Sequence, residues 1–199
     1  MKNYLIGGGI VSKGETRRID KIAVANSKHK KVTILLLSKR KKKKIELYKK
    51  FSPGYFKKLG AKHVDIIFPD SSRQEIIEKT KNPDMVFLTG GDTDYLLKNI
   101  KKLRLLPFIK RANVVLGNSA GALAQVSSGF GLKKFFKGLK LLKITIIVHY
   151  KPEQDKMLLK FSKKRDIYAI PEKSALVYDK KLKTIGRVWK FSKGKKISL

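Results

Sequence analysis

The stretch Val114-Val115-Leu116-Gly117-Asn118-Ser119-Ala120-Gly121-Ala122-Leu123 sets a serine at the centre of Gly-x-Ser-x-Gly, behind an apolar, β-branched run and ahead of small residues. A strand that enters such a turn and leaves it as a helix is a nucleophile elbow, which holds the hydroxyl out at the carboxyl end of a sheet. The turn is so sharp that side chains two before and two after the serine would strike neighbouring backbone. Free N–H groups and the dipole at the start of the following helix then favour developing negative charge. The chemistry implied is attack on a carbonyl carbon. A tight strand-to-helix crossing and a phosphate-holding loop are the other uses of the same glycines.

A serine hydroxyl needs a base, most often histidine, and the chain has three. His29 lies among lysines in a turn-like setting, and His63 precedes the apolar run Val64 to Phe68, at its amino end. Open α/β sheets place active sites at the carboxyl ends of strands. Only His149 meets that condition, directly after Ile144-Thr145-Ile146-Ile147-Val148. The third member is narrowed by counting. From Tyr95 through Pro152, 58 residues, there is no Asp or Glu, so an acid between serine and histidine, as in α/β-hydrolases, is ruled out. Glu153, Asp155, Asp166, Glu172 and Asp179 remain downstream, Asp92 and Asp94 upstream. Glu172 is favoured, because it follows an apolar run and Pro171 and so sits at a strand end, as His149 does.

A tetrahedral oxyanion needs backbone donors. Met85-Val86-Phe87-Leu88 runs into Thr89-Gly90-Gly91-Asp92, a second strand ending in a glycine pair, and the amides of Gly91 and Ala120 are the expected pair of donors. The run Gly7-Gly8-Gly9 after the first strand lacks the third glycine of a dinucleotide fingerprint, since Ser12 occupies that position, and no phosphate-loop Lys-Ser/Thr follows Gly14. It predicts close backbone packing. No cofactor or metal site is expected.

These residues require strands and helices in alternation. Apolar runs at Tyr4 to Ile6, Val32 to Leu37, Val64 to Phe68, Met85 to Thr89, Val114 to Leu116 and Ile144 to Val148 read as strands. Helical spacing appears at Ile45 to Leu59, with a break expected at Pro53-Gly54, and at Gln74 to Thr80, Thr93 to Ile100, Ala120 to Ser127 and Glu153 to Lys163. The expected architecture is α/β: a mainly parallel central sheet flanked by helices, with a small antiparallel edge from Ser174 to Tyr178, Thr184 to Val188 and Trp189 to Ser192. Neither a repeat nor a linker divides the chain, so residues 1–199 read as one domain.

Composition sets the outer limits. The 199 residues contain 48 Lys+Arg, 15 Asp+Glu and no Cys. Thiol nucleophiles, disulfides and thiolate metal sites are therefore excluded, and a reducing, cytoplasmic setting fits. No run approaches the roughly 20 apolar residues that span a bilayer, so no membrane partner is expected. The net charge of +33 is spread along the chain and is densest at Lys39-Arg40-Lys41-Lys42-Lys43-Lys44. Polyanions will be attracted at low salt, but only 8 of the 48 basic residues are Arg, the residue suited to reading phosphates and bases. Nucleic acid is thus expected as a non-specific partner only.

Together the Gly7-Gly8-Gly9 turn, Thr89-Gly90-Gly91-Asp92, Gly117-Asn118-Ser119-Ala120-Gly121-Ala122, His149-Tyr150 and Ala169-Ile170-Pro171-Glu172-Lys173-Ser174-Ala175-Leu176 resemble peptidase family S51, which includes dipeptidase E and cyanophycinase. The resemblance runs over most of the chain. It implies a class I glutamine amidotransferase-like (flavodoxin-like) three-layer fold with serine in place of the usual cysteine. It further implies Ser119 as nucleophile, His149 as base, Glu172 as its orienting carboxylate, Gly91 and Ala120 amides as oxyanion donors, and cytoplasmic, metal-free hydrolysis of small peptides, aspartyl ones among them. A basic pocket would suit acidic N-terminal residues, and a homodimer is left open. The rival readings are a non-catalytic polyanion- or RNA-binding protein on this scaffold and an esterase or amidase using the same three residues.

Overall fold

The computed structural model describes residues 1–131 and 135–199. In chain order the elements are β1 (Lys2–Ile6), α1 (Arg17–Asn26), β2 (Lys31–Leu35), α2 (Lys42–Lys58), β3 (His63–Ile67), α3 (Arg73–Thr80), β4 (Met85–Leu88), α4 (Thr93–Lys102), α5 (Leu106–Arg111), β5 (Val114–Asn118) and α6 (Ala120–Gln125). There follow β6 (Val126–Phe130), β7 (Phe135–Lys137), β8 (Leu142–Val148), α7 (Asp155–Ser162), β9 (Ile167–Ile170), β10 (Ala175–Asp179), β11 (Lys181–Ile185), β12 (Trp189–Ser192) and β13 (Lys195–Ser198).

Two mixed sheets result where one was expected. The first has the order β11-β10-β1-β5-β4-β2-β3, and the second β13-β12-β9-β8-β6-β7. In the first, β1, β5, β4, β2 and β3 are parallel, and β10 and β11 form the antiparallel edge. Parallel strands covered on both faces are apolar throughout, and β4 and β5 are buried at every residue. Alternation divides their side chains between two cores. Phe87, Leu116 and Ile34 meet Ile19, Ala23 and Phe56 of α1 and α2, while Val86, Leu88 and Val115 meet Leu96, Ile100, Phe108 and Ala124 of α4, α5 and α6. A third core joins the sheets, with Leu5, Ala122 and Leu176 against Ile146, Val148 and Ile170, and a fourth lies beneath α7 around Leu158, Ile167 and Phe191.

The helical segment from Ile45 does not break at Pro53. α2 runs through it to Lys58. An interior proline removes one backbone hydrogen bond, here the one to the Lys49 carbonyl, at a cost of about 3 kcal/mol, but Phe56, fully buried one turn beyond, anchors the second half of the helix. Burying such a ring contributes about 2–3 kcal/mol, and Ile45, Tyr48, Phe51 and Tyr55 of the same helix pack against the same core and add to it, so packing decides. The helix expected from Ala120 to Ser127 ends instead at Gln125, because Val126 and Ser127 join β6. The amide of Gln125 explains the stop: fully buried, it spends its hydrogen bonds on Asn3 Nδ2, Tyr4 O and Gly121 O. The strand expected over Thr184 to Val188 lies earlier, at Lys181–Ile185, because left-handed Lys180 turns the chain straight back on β10.

Asp20 of α1 is fully buried at the junction with α2, where its Oδ2 accepts hydrogen bonds from Thr16 Oγ1 (2.7 Å) and Tyr55 Oη, and its Oδ1 has no partner among the described residues. Burial pushes its carboxyl up to about 6, against the two hydrogen bonds that favour the charged form. The folded protein therefore holds this proton more tightly than the unfolded chain does, so between about pH 4 and pH 6 stability falls as pH rises. Asp20→Asn should remove that dependence and leave the protein more stable than wild type at pH 7.5 by roughly 1–3 kcal/mol. Urea unfolding at pH 4.5 and pH 7.5 checks this; parallel pH profiles for the two proteins would count against it.

Candidate active site

β5 delivers Ser119 to the carboxyl edge of the first sheet, and α6 leaves from it at once. The geometry shows why this sequence makes that turn. A Cβ on Gly117 would lie 2.3 Å from the Gly121 carbonyl oxygen, and one on Gly121 would lie 2.0 Å from that of Leu88. Ser119 itself is held at φ 51°, ψ −105°, a conformation that costs a non-glycine residue about 1–3 kcal/mol and persists only where the surroundings enforce it. Its N–H donates to the Ile6 carbonyl on the neighbouring strand (3.0 Å), and its own carbonyl accepts from Ala122 and Leu123.

Ser119 Oγ lies 2.8 Å from His149 Nε2, and His149 Nδ1 lies 2.9 Å from Glu172 Oε1. His149 follows β8, and Glu172 follows β9 by two residues, so the three side chains converge from the carboxyl ends of β5, β8 and β9 across two sheets. Backbone strain collects here: Ser119, His149 (φ 54°) and Lys173 (φ 60°), next to Glu172, all have left-handed φ. The Gly7-Gly8-Gly9 loop is the common platform. Gly7 O accepts from the His149 amide (2.8 Å), Gly8 O from the Lys173 amide (2.9 Å), and Gly9 O from Asn118 Nδ2 (3.0 Å). Gly8 touches the imidazole so closely that an added Cβ would lie 2.4 Å from its Cε1. The sequence signals close packing at this loop, but not that the ring being packed is His149.

The other candidates stand elsewhere. His29 and His63 are exposed at the opposite, amino ends of β2 and β3. Of the carboxylates, Asp155 accepts from Tyr150 Oη and pairs with Lys196, Asp166 pairs with Lys190, and Asp179 with Lys2. Glu153 is exposed in the turn before α7. Asp92 caps α4, accepting from the Tyr95 amide at 2.9 Å, and pairs with Arg40 at 2.8 Å. Burial opposes its ionisation, but those bonds prevail and hold it below the usual carboxylate range.

The Gly90-Gly91 loop is fixed from behind by Ser38, a residue that belongs to no motif in the sequence. Ser38 Oγ donates to Gly90 O (2.8 Å), and Ser38 O accepts from the Asp92 amide (3.0 Å). Gly91 has φ 148°, and a Cβ there would meet Ser38 O at 2.5 Å. Gly91 lines the same cleft as Ser119 and His149, and Ala120, first residue of α6, has no intrahelical acceptor for its N–H. The cleft, about 560 Å³, is completed by Thr93, Leu123, Gly131, Phe136 and Val148 among others. Among the described residues the charged groups lining the cleft are Asp92, which is paired with Arg40, and Asp94. No described cluster of three or more His, Asp or Glu could hold a metal ion, and no described helix is long and apolar enough to cross a membrane.

Two solved structures share the fold. A peptidase from an acI-B1 actinobacterium superposes with a TM-score of 0.69 at 16% identity, over 100% of this chain and 96% of that one. A candidate peptidase E from Listeria monocytogenes EGD-e superposes with a TM-score of 0.64 at 18% identity, over 92% of this chain and 97% of that one. No curated protein matches the sequence. The model of peptidase family S51 does match, over residues 4–185. With that match spanning nearly the whole chain, and with a serine elbow facing a histidine at the sheet edge, the protein belongs to peptidase family S51.

Proposed function

We propose that the chain is one catalytic domain, with the class I glutamine amidotransferase-like fold implied by its family, that hydrolyses small peptides through Ser119, His149 and Glu172. The observation that carries this reading is the continuous hydrogen-bonded line from Ser119 Oγ to His149 (2.8 Å) to Glu172 (2.9 Å). His149 Nε2 takes the proton as Oγ attacks the scissile carbonyl, and Glu172 holds the ring in the tautomer that leaves Nε2 free to accept. The amides of Gly91 and Ala120 receive the oxyanion, each donor being worth about 3–4 kcal/mol in such sites. His149 then returns the proton to the leaving amine, and water attacks the acyl-enzyme by the same route in reverse. Glu172 is the most exposed of the three, its side chain 55% accessible against 19% for His149, so its share rests on orienting the ring more than on a buried charge.

Membership of a peptidase family implies peptide substrates, and aspartyl dipeptides belong in the first substrate panel. A serine-directed fluorophosphonate is expected to label the native protein on Ser119, located by peptide mapping. Failure to label, with the same reagent active on a known serine hydrolase, would overturn the reading.

A further inference from the structure

A second cavity, of about 460 Å³, lies between the β6–β7 hairpin and α7, lined by Phe130, Phe135, Lys160, Phe161, Lys164 and Arg165. Strand alternation separates it from the cleft. Phe130 and Phe135 face this cavity, whereas their chain neighbours Gly131 and Phe136 line the cleft that holds Ser119. Its floor is aromatic: Phe130 meets Phe135 at 5.1 Å and Phe161 at 5.6 Å between ring centroids. Phe135 and Phe161 are 41% and 44% exposed, among the most exposed large apolar side chains of the protein. The rim is cationic and uncompensated. Lys160, Lys164 and Arg165 make no ion pair among the described residues, and the acids closest in the chain are already committed, Asp166 to Lys190 and Ser192, Asp155 to Lys196 and Tyr150.

We propose that this cavity binds an amphipathic monocarboxylate, an acid with an unbranched apolar tail. The volume falls in the range of small-molecule sites. Three rings offer a surface for the tail, and the three cations of the lining can offer the carboxylate charge-assisted hydrogen bonds, with the stems of the lysines extending the apolar wall. A neutral chain would gain no attraction from the cations, which stay hydrated, and a cationic amphiphile would be repelled by them. A carboxylate without a tail would gain nothing from the rings.

Decanoate is the probe, titrated calorimetrically into the full-length protein at 0.3 M NaCl, where the diffuse field of +33 is largely screened. Saturable binding in the micromolar range is expected. Lys160→Gln/Lys164→Gln/Arg165→Gln should weaken it at least tenfold, and Phe161→Ser, a change at an exposed position that leaves the core intact, at least fivefold. Lys41→Gln/Lys42→Gln/Lys43→Gln removes the same charge elsewhere and should leave the affinity within twofold of wild type. Acetate and decyltrimethylammonium should show no saturable heat. Absence of decanoate binding below 1 mM would overturn the proposal. Equal loss in the two triple variants would also overturn it, leaving only attraction to net charge, and so would full retention in Phe161→Ser. None of these readouts depends on peptide hydrolysis, so the proposal stands or falls separately from the catalytic reading.

Discussion

Ser119→Ala is expected to lower kcat/KM for peptide hydrolysis by about 10⁴- to 10⁶-fold while leaving the fold unchanged. The hydroxyl oxygen is the only heavy atom lost. The backbone hydrogen bonds that hold residue 119 in its strained conformation, from its N–H to Ile6 O and to its carbonyl from Ala122 and Leu123, do not involve Oγ. Alanine accepts the same φ no worse than serine does, so Tm should move by less than about 2 °C. His149→Ala should cost a comparable factor, and the double variant little more than either single one, because nucleophile and base act as a unit. Glu172→Gln keeps the shape but offers the ring a donor as well as an acceptor, and a loss of about 10²- to 10⁴-fold is expected, concentrated in kcat. The measurement is steady-state hydrolysis on a dipeptide panel that includes Asp-X substrates, with circular dichroism and melting curves beside it. Wild-type rates in Ser119→Ala would remove this serine from the mechanism.

Gly8→Ala should also slow turnover strongly, although residue 8 carries no reactive group. Two effects act together. The backbone at Gly8 has φ 150°, where a side chain is strained, and the new Cβ would lie 2.4 Å from His149 Cε1 and 2.5 Å from Nδ1, with Glu172 Cγ at 3.2 Å. Contacts under 3 Å cannot stand, so the imidazole must move. A displacement on the order of 1 Å slows a reaction by about two orders of magnitude where the proton must pass over a short hydrogen bond. Turnover by Gly8→Ala should therefore fall by about two to three orders of magnitude, while KM stays within about threefold of wild type. Gly60→Ala provides the comparison. Gly60 has φ 101° but nothing within 4 Å of its added Cβ, so this variant should lose stability through backbone strain and turn over substrate at the wild-type rate. Equal kinetic losses in the two variants would mean that strain, not collision with His149, is the cause.

Much of the site is legible along the chain, for reasons that particular residues make plain. Gly117 and Gly121 declare the elbow because no side chain fits at either place, and that constraint is local to one turn. The absence of acids from Tyr95 to Pro152 confines the histidine's partner to a few carboxylates, and Glu172 is the one that reaches the ring. The charge density at Lys39 to Lys44 is equally legible as the exposed approach to a helix, and α2 begins at Lys42. Other features cannot be read this way. Pro53 signals a break that α2 does not make, because Phe56 and its neighbours are held by a core assembled from β1, β2, β4 and β5. Val126 and Ser127 continue a helical pattern, yet they belong to a strand because β8 pairs with Val126 and Ser128 on either side of a register irregularity at Ser127.

The amino-acid sequence by itself determined the α/β class, the serine at the turn, its histidine and carboxylate candidates and the exclusion of thiol chemistry, since these depend on residue type, short spacing and count. The tertiary structure alone decided that two sheets and not one carry the candidate site, that Gly8 is the surface against which His149 is set, that Ser38 fixes the Gly90-Gly91 loop, and that Gly91 and Asp92 come to the same cleft as Ser119 and His149. Each of these is a contact between residues far apart in the chain. Such contacts arise from how strands order themselves in sheets and from which backbone atoms approach within a few ångströms, and neither is encoded in any single segment.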